Sequence, residues 1–450
     1  MMKQISLLVA AVLMTACPDK SQTDNYAESV EAWSPEALQK LPVLPAQVDS
    51  ALQIISPDTL LPSANSLDAV YSMPADADDV MFLPLAPTPG YHIGSIDQIE
   101  ADDNLFFIKG WETEKYEGNL TGYKSFNAAC FIFRRDGSLV ARLESPSAAH
   151  PVCMAVNRQA REVCVVFSDA SPMSSLLCYD YEGRLLHRST TDYMFEPDAI
   201  SISQNHIFRT ARPSHLTQEA GLPQLTVCDP SGMPKALALS RPIHDDWYGG
   251  PNASFASCGD DVFYATSYSD TIWQVKPEAV VARYLVRGEG VGIGTLPFDG
   301  DSTLTRADRL KATEGRFVPG YASNSHLLVS PGFIVKGSWQ RSDIQIKNDA
   351  SGYFKVNSKN TFRRLVIDRT TGHSQWVITQ NARLAVTPFL AENLLLTADD
   401  MLVSYVTPER LKYQAAHDER FEMTDALRSL ASHLDLEANP VLLLLPLKHF

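Results

Sequence analysis

An all-β chain, folded as a six-bladed β-propeller of four-stranded antiparallel blades, follows from three repeated features of this sequence. Six times, two apolar strands are joined by a very short polar turn: Ala101-Asp102-Asp103-Asn104, Asn157-Arg158-Gln159-Ala160-Arg161, Gln204-Asn205, Gly259-Asp260-Asp261, Ser330-Pro331-Gly332 and Ala398-Asp399-Asp400. Units repeating at about 50 residues indicate a propeller or a similar array. A second turn recurs downstream in Arg134-Arg135-Asp136-Gly137, Asp180-Tyr181-Glu182-Gly183, Asp229-Pro230-Ser231-Gly232 and Asp368-Arg369-Thr370-Thr371-Gly372, with Lys276-Pro277-Glu278 as a version lacking Gly. Asp supports such turns through its side chain and Gly supplies positive φ. Third, runs such as Val163 to Phe167 are apolar without alternation. A strand buried on both faces has that pattern, and propeller blades pack on both faces.

Taken in chain order, residues 1–16 read as a signal peptide, with Lys3 at the start and an apolar stretch from Ile5 to Met14 that is shorter than a membrane span. Leu13-Met14-Thr15-Ala16-Cys17 looks like a bacterial lipobox, which implies lipid on the Cys17 sulfur as the sole membrane attachment. Residues 17–78 are rich in Pro, Ser, Ala, Asp and Glu with no sustained period, and are expected to be a tether. The propeller occupies residues 79–450. With strands lettered a to d from the channel outward, the second unit has Val152–Val156, Glu162–Phe167, Leu176–Tyr179 and Arg184–His187. Six a–b turns stand against five c–d turns, so the last unit, ending at Val441–Leu447, lacks an outer strand. Val80–Leu85 is the strand left over, and placing it there closes the ring and removes open edges. Thr424 or Asp425 can cap one helix in the last long loop, whose stripe Ala426, Leu427, Leu430, Ala431 and Leu434 is expected to pack on the propeller.

Phe82-Leu83-Pro84-Leu85 with Ile93-Gly94-Ser95-Ile96-Asp97-Gln98-Ile99, then Ser269-Asp270-Thr271-Ile272-Trp273-Gln274-Val275, then Asn439-Pro440-Val441-Leu442 through Lys448 resemble motifs of the six-bladed β-propeller lipoproteins of Bacteroides-type bacteria. The resemblance spans roughly residues 80–450 and implies a fold similar to NHL-type and TolB-type propellers. The usual Gly-Pro-Gly-Glu-type loop has only loose echoes, at Tyr248 to Asn252 and Gly288 to Gly290.

The formal charge of −15, from 53 acidic and 38 basic residues without a Lys/Arg cluster, argues against a nucleic-acid partner. None of Cys130, Cys153, Cys164, Cys178, Cys228 and Cys258 has CxxC spacing, so a structural zinc site is not expected. Buried free thiols are the expectation, with Cys164 and Cys178, which flank one strand connection, as a pair that export would allow to oxidise.

The a–b and c–d turns lie on one face of the ring, and every one of them is short. The long segments, about 110–126, 210–224, 240–252, 287–322, 336–360 and 406–438, are b–c or d–a connections on the opposite face. Long loops on a rigid scaffold tend to carry function. The densest candidate is Arg241 to Asn252, where His244, Asp245, Asp246, Trp247, Tyr248 and Asn252 offer aromatic anchors and polar groups near the channel mouth. His244, Asp245 and Asp246 are also ligand types for a divalent cation. Arg212 and Trp111 belong to the same face, with Tyr116, Tyr123, His215, Trp339 and Arg341. No GxSxG elbow, HExxH or P-loop is present, and no cofactor motif. The expectation is a lipoprotein of the outer membrane whose propeller binds a glycan, peptide, small molecule or envelope protein partner. The alternative is a carboxylate- or metal-dependent hydrolase or lyase at the channel mouth.

Overall fold

A computed structural model describes residues 31–56, 79–89, 92–102, 104–115, 123–144, 149–168, 173–192, 199–210, 223–240, 253–266, 270–287, 327–348, 354–377, 395–417 and 425–450, with a few isolated positions. Their strands form six sheets, one per blade. Blade 1 holds His92–Asp102, Leu105–Lys115, Tyr123–Arg134 and Leu139–Leu143, and blade 2 holds His150–Asn157, Glu162–Ser168, Met173–Asp180 and Leu185–Asp192. Blade 3 holds Ile200–Ser203, His206–Thr210, Pro223–Cys228 and Pro234–Ser240, and blade 4 holds Ala253–Cys258, Asp261–Thr266, Thr271–Val275 and Val280–Val286. Blade 5 holds Leu327–Val329, Phe333–Asn348, Phe354–Asp368 and Ser374–Val377, and blade 6 starts with Leu395–Leu396, Met401–Val406 and Val441–Pro446. The a strands touch in order around a complete circle, blade 6 meeting blade 1.

Burial explains the unalternating strands. Six hydrophobic clusters fill the six gaps between neighbouring blades. In strand b of blade 2, Val163, Val165 and Phe167 face the blade 1–2 cluster, while Cys164 and Val166 face the blade 2–3 cluster. Side chains alternate across a strand, so a strand with two dry faces is apolar at every position.

The ring closes as the strand count requires. Met81–Pro84 pairs antiparallel with Val441–Pro446, Met81 opposite Leu444 and Pro84 opposite Val441. The buried Asn439 latches the seam: its Oδ1 accepts the Ile93 N–H at 2.8 Å and its Nδ2 donates to the Ala86 carbonyl at 2.6 Å. The turns also have the expected chemistry. Gln204 and Asn205 both have positive φ, 49° and 57°, as a two-residue I′ hairpin requires. Gly137, Gly183, Gly232 and Gly372 have φ of 79–87°, and Asp180, Asp229 and Asp368 accept backbone N–H groups within their own turns.

Three parts differ from expectation or add to it. Residues 31–55, within the stretch read as a tether, lie against the propeller. A short helix α1 (Pro35–Leu38) precedes Ala46–Ile55, which joins blade 4 as a fifth strand parallel to Val280–Val286. Trp33 and Leu38 are buried in the blade 2–3 cluster, and Ile55 in the blade 4–5 cluster. Segments 110–126 and 336–360 include extended strand pairs, Leu105–Lys115 with Tyr123–Arg134 and Phe333–Asn348 with Phe354–Asp368. The last long connection holds two helices, α2 (Pro408–His417) and α3 (Asp425–His433). The α3 stripe packs as expected, Leu427 and Ala431 buried in the blade 5–6 cluster with Leu430 and Leu434 against it. α2 begins with Pro at its first position after Thr407, whose carbonyl accepts the Leu411 N–H at 3.0 Å, a start that suits Pro because the first N–H has no helical partner.

Cys164 and Cys178 stand directly opposite each other in strands b and c of blade 2 and form a disulfide. Cys130, Cys153 and Cys228 are buried free thiols. Burial pushes both Cys130 and Cys228 up to about 12, which keeps them inert at neutral pH.

Candidate functional site

Of the residues expected on the long-loop face, His244, Asp245, Asp246, Trp247, Tyr248, Asn252 and Arg212 lie outside the described residues. Trp111 is described, and it is a fixed aromatic surface. Two bulges in strand a of blade 1, between Ile93 and Ser95 and between Ile96 and Gln98, interrupt the ladder around Asp97. The Asp97 Oδ2 accepts from the Trp111 indole Nε1 at 2.8 Å and from the Lys109 Nζ at 2.9 Å. One carboxylate therefore sets the indole orientation, while 37% of Trp111 remains exposed. The next residue, Glu112, is buried and held by Arg142 through two bonds of 2.7 and 3.0 Å; such bidentate pairs fix geometry well. Gln98 clamps blade 1 to blade 2, donating to the Met154 carbonyl at 2.7 Å and accepting its N–H at 3.1 Å. Blade 5 repeats the Lys-Gly step at Lys336-Gly337 with Trp339 following. Burial pushes Lys336 down to about 8, against the pull of Asp270.

The short-turn face is not plain. Its channel mouth opens into a cavity of about 930 Å³ lined by the a–b turns of blades 1, 2, 4, 5 and 6. Asp102, Asn104, Arg135, Arg158, Ser257 and Asp399 supply polar groups, and Met81, Leu396, Met401 and Leu444 supply an apolar wall. Clamps between adjacent turns fix this rim. Arg158 donates to the Ala101 carbonyl at 3.1 Å and sits 3.8–3.9 Å from Asp102 and Glu100. Burial raises the Glu100 carboxyl, with Arg158 pulling the other way. The Tyr181 hydroxyl donates to Asp102. Ser203 donates to the Asp260 carbonyl. Asp400 accepts from the Ser330 hydroxyl and, at 3.0 Å, from the Gly332 N–H. Residue 332 must be small here, since an added Cβ would lie 2.5 Å from Asp400 Oδ2. The six turns were legible in sequence; the convergence of five of them on a cavity was not, because shortness alone pointed away from this face.

Among the described residues, Glu162, Cys178 and His187 bring potential metal-ligand atoms within 4.8 Å of one another. The Cys178 sulfur is committed to the disulfide, which leaves two donors.

No protein-family model matches this chain, and no curated protein matches it. Among solved structures, a Bacteroides fragilis protein described as exported superimposes with a TM-score of 0.61, at 14% identity, over 88% of this chain and 100% of its own. A Bacteroides uniformis protein described as a 6-phosphogluconolactonase gives a TM-score of 0.33 at 14% identity over 67% of this chain and 89% of its own. The Neurospora crassa Pan2 WD40 domain gives 0.30 at 11% identity over 69% and 87%. The first likeness extends along almost the whole chain, and what it shows is the shared fold, a six-bladed β-propeller.

Proposed function

We propose that this protein is a cell-envelope lipoprotein of the outer membrane, anchored through lipid on Cys17, whose propeller binds a glycan, peptide or small molecule on its long-loop face. The observation that carries the binding reading is Trp111, exposed yet held in one orientation by Asp97. A preoriented aromatic surface loses little conformational freedom when a sugar ring or an apolar side chain stacks on it. The signal sequence and lipobox support export, and the Bacteroides fragilis protein of similar fold is itself described as exported. The resemblance of Phe82 to Ile99 and of Asn439 to Lys448 to propeller lipoproteins supports the same assignment.

Glycan and peptide arrays probed with the purified protein test this reading. Trp111→Ala should weaken the strongest hit by about tenfold or more without changing the thermal midpoint. Arrays with no hit above background, or a hit indifferent to Trp111, would refute the site. Cys17→Ser should move the protein from the membrane to the soluble fraction; retention at the membrane would refute the anchor.

A further inference from the structure

We propose that the cavity at the short-turn mouth of the channel is a second binding site, which takes a small organic carboxylate with an apolar body through the guanidinium of Arg135. The argument comes from two arginines at the same place in the repeat. Arg135 is the second residue of the blade 1 c–d turn, and its N–H donates to the Asn104 carbonyl at 2.8 Å. Arg369 is the second residue of the blade 5 c–d turn, and its N–H donates to the Gly332 carbonyl at 2.8 Å. Their side chains have different fates. The Arg369 Nε donates to the Tyr284 hydroxyl at 3.2 Å, its Nη1 donates to the Ser330 carbonyl, and its guanidinium lies 5.6 Å from the Phe263 ring centre. Its Nε thus joins blade 5 to blade 4, while Nη1 also ties the blade 5 turns together. Arg135 instead stacks on the buried Phe106, 4.5 Å from the ring centre, and lines the cavity. Its Nε is buried with no hydrogen-bond partner, and no carboxylate pairs with it among the described residues.

The other charges around the cavity are engaged or opposed. Arg158 is occupied by Ala101, Glu100 and Asp102, and Asp102 is further occupied by Tyr181. Asp400 is tied to blade 5. Arg135 is thus the lining arginine that no described carboxylate neutralises, since Arg158 has Glu100 and Asp102 beside it. A guanidinium presents its N–H groups in a flat fork that matches a carboxylate, and the Phe106 contact holds that plane in advance. The Asp399 carboxylate on the same wall, together with a chain charge of −15, weighs against a dianion such as phosphate. Met81, Leu395, Leu396, Met401 and Leu444 give an apolar wall for the rest of the ligand, and about 930 Å³ suits a small molecule. This site lies on the opposite face from Trp111 and does not depend on the function proposed there.

Titration calorimetry of the purified protein with hexanoate, hexanol and hexylamine tests the proposal, because the three probes share one apolar body. Hexanoate should saturate one site, with the other two about tenfold weaker or worse. Arg135→Ala should weaken hexanoate about tenfold and leave hexanol unchanged. Arg135→Lys keeps the charge, loses the fork, and should weaken hexanoate severalfold even if the alanine variant does not fold. The proposal is overturned if hexanoate shows no saturable binding, if it binds no tighter than hexanol, or if both variants bind it as the parent does. Tighter competition by inorganic phosphate than by acetate would overturn the carboxylate assignment.

Discussion

Asp368 shows how much one side chain carries in this fold. It opens the blade 5 c–d turn and is fully buried. Its Oδ1 accepts the N–H groups of Thr370 at 2.8 Å and Thr371 at 3.0 Å. Its Oδ2 meets His449 Nδ1 at 3.0 Å and the Phe450 N–H at 3.1 Å. Burial alone would raise this carboxyl, but the Thr371, Thr370 and Phe450 N–H groups and the His449 ring outweigh it, so the carboxyl is held below its usual range. A depressed folded value means that the stabilisation is fully present above the unfolded value of about 3.9 and is lost as pH falls through the folded one. Asp368→Ala should therefore lower stability by about 1–3 kcal/mol at neutral pH. Urea unfolding should show that gap narrowing as pH falls below the unfolded value; a gap unchanged as the carboxyl protonates would mean that the ionised form contributes nothing. The turn role was legible, because an Asp four residues before a Gly is a local signal. The His449 and Phe450 contacts were not, because they join residues 81 and 82 apart in sequence and depend on where blade 6 ends.

At the level of the element, the c–d turns differ in what they touch. Gly137 and Gly372 have φ of 84° and 79°, so replacing either with Ala places an L residue in left-handed backbone, at about 1–2 kcal/mol. Their surroundings are unlike. A Cβ on Gly372 meets nothing within 4 Å, whereas one on Gly137 would sit 2.3 Å from the Pro84 carbonyl oxygen. Pro84 belongs to the closing strand, and the Gly137 carbonyl accepts the Ala86 N–H at 2.8 Å just beyond it. Gly137→Ala should thus add a further ~1–3 kcal/mol from overpacking and loosen the ring seam. Chemical denaturation of the two variants checks this, and equal losses would show that backbone strain alone decides. Sequence identified the Gly of four c–d turns and the strand that closes the ring. It did not place one against the other, because turn chemistry is local and the seam forms only when blade 6 meets blade 1.

For the whole molecule, the ring is fastened twice. Met81–Pro84 closes blade 6 onto blade 1, and residues 33–55 pass along the outer rim over three successive blade gaps. Trp33, Leu38 and Leu41 pack in the 2–3 gap, Leu44 in the 3–4 gap and Ile55 in the 4–5 gap. Arg209 from blade 3 stacks over Trp33 at 4.2 Å. The closing strand was legible because strand counts must balance around a ring. The strap was not, since most side chains of Ala46–Ile55 are exposed and its anchors are isolated apolar residues without a period. Its bonds are mainly backbone ones: Leu237, Val280 and Arg287 donate to the carbonyls of Pro42, Pro45 and Ile55 at 2.8–3.1 Å. A segment held along one edge, with few buried side chains, can detach without unfolding the rest. Trp33→Ala with Ile55→Ala removes two of its anchors, of which the buried Trp alone accounts for about 3–5 kcal/mol. Hydrogen exchange should then speed at the Leu237, Val280 and Arg287 amides, while the Leu85 amide, bonded to the Pro440 carbonyl across the seam, keeps its protection. Equal acceleration at all four amides would mean that the strap and the ring open as one unit, and that residues 33–55 are as integral to the propeller as any blade strand.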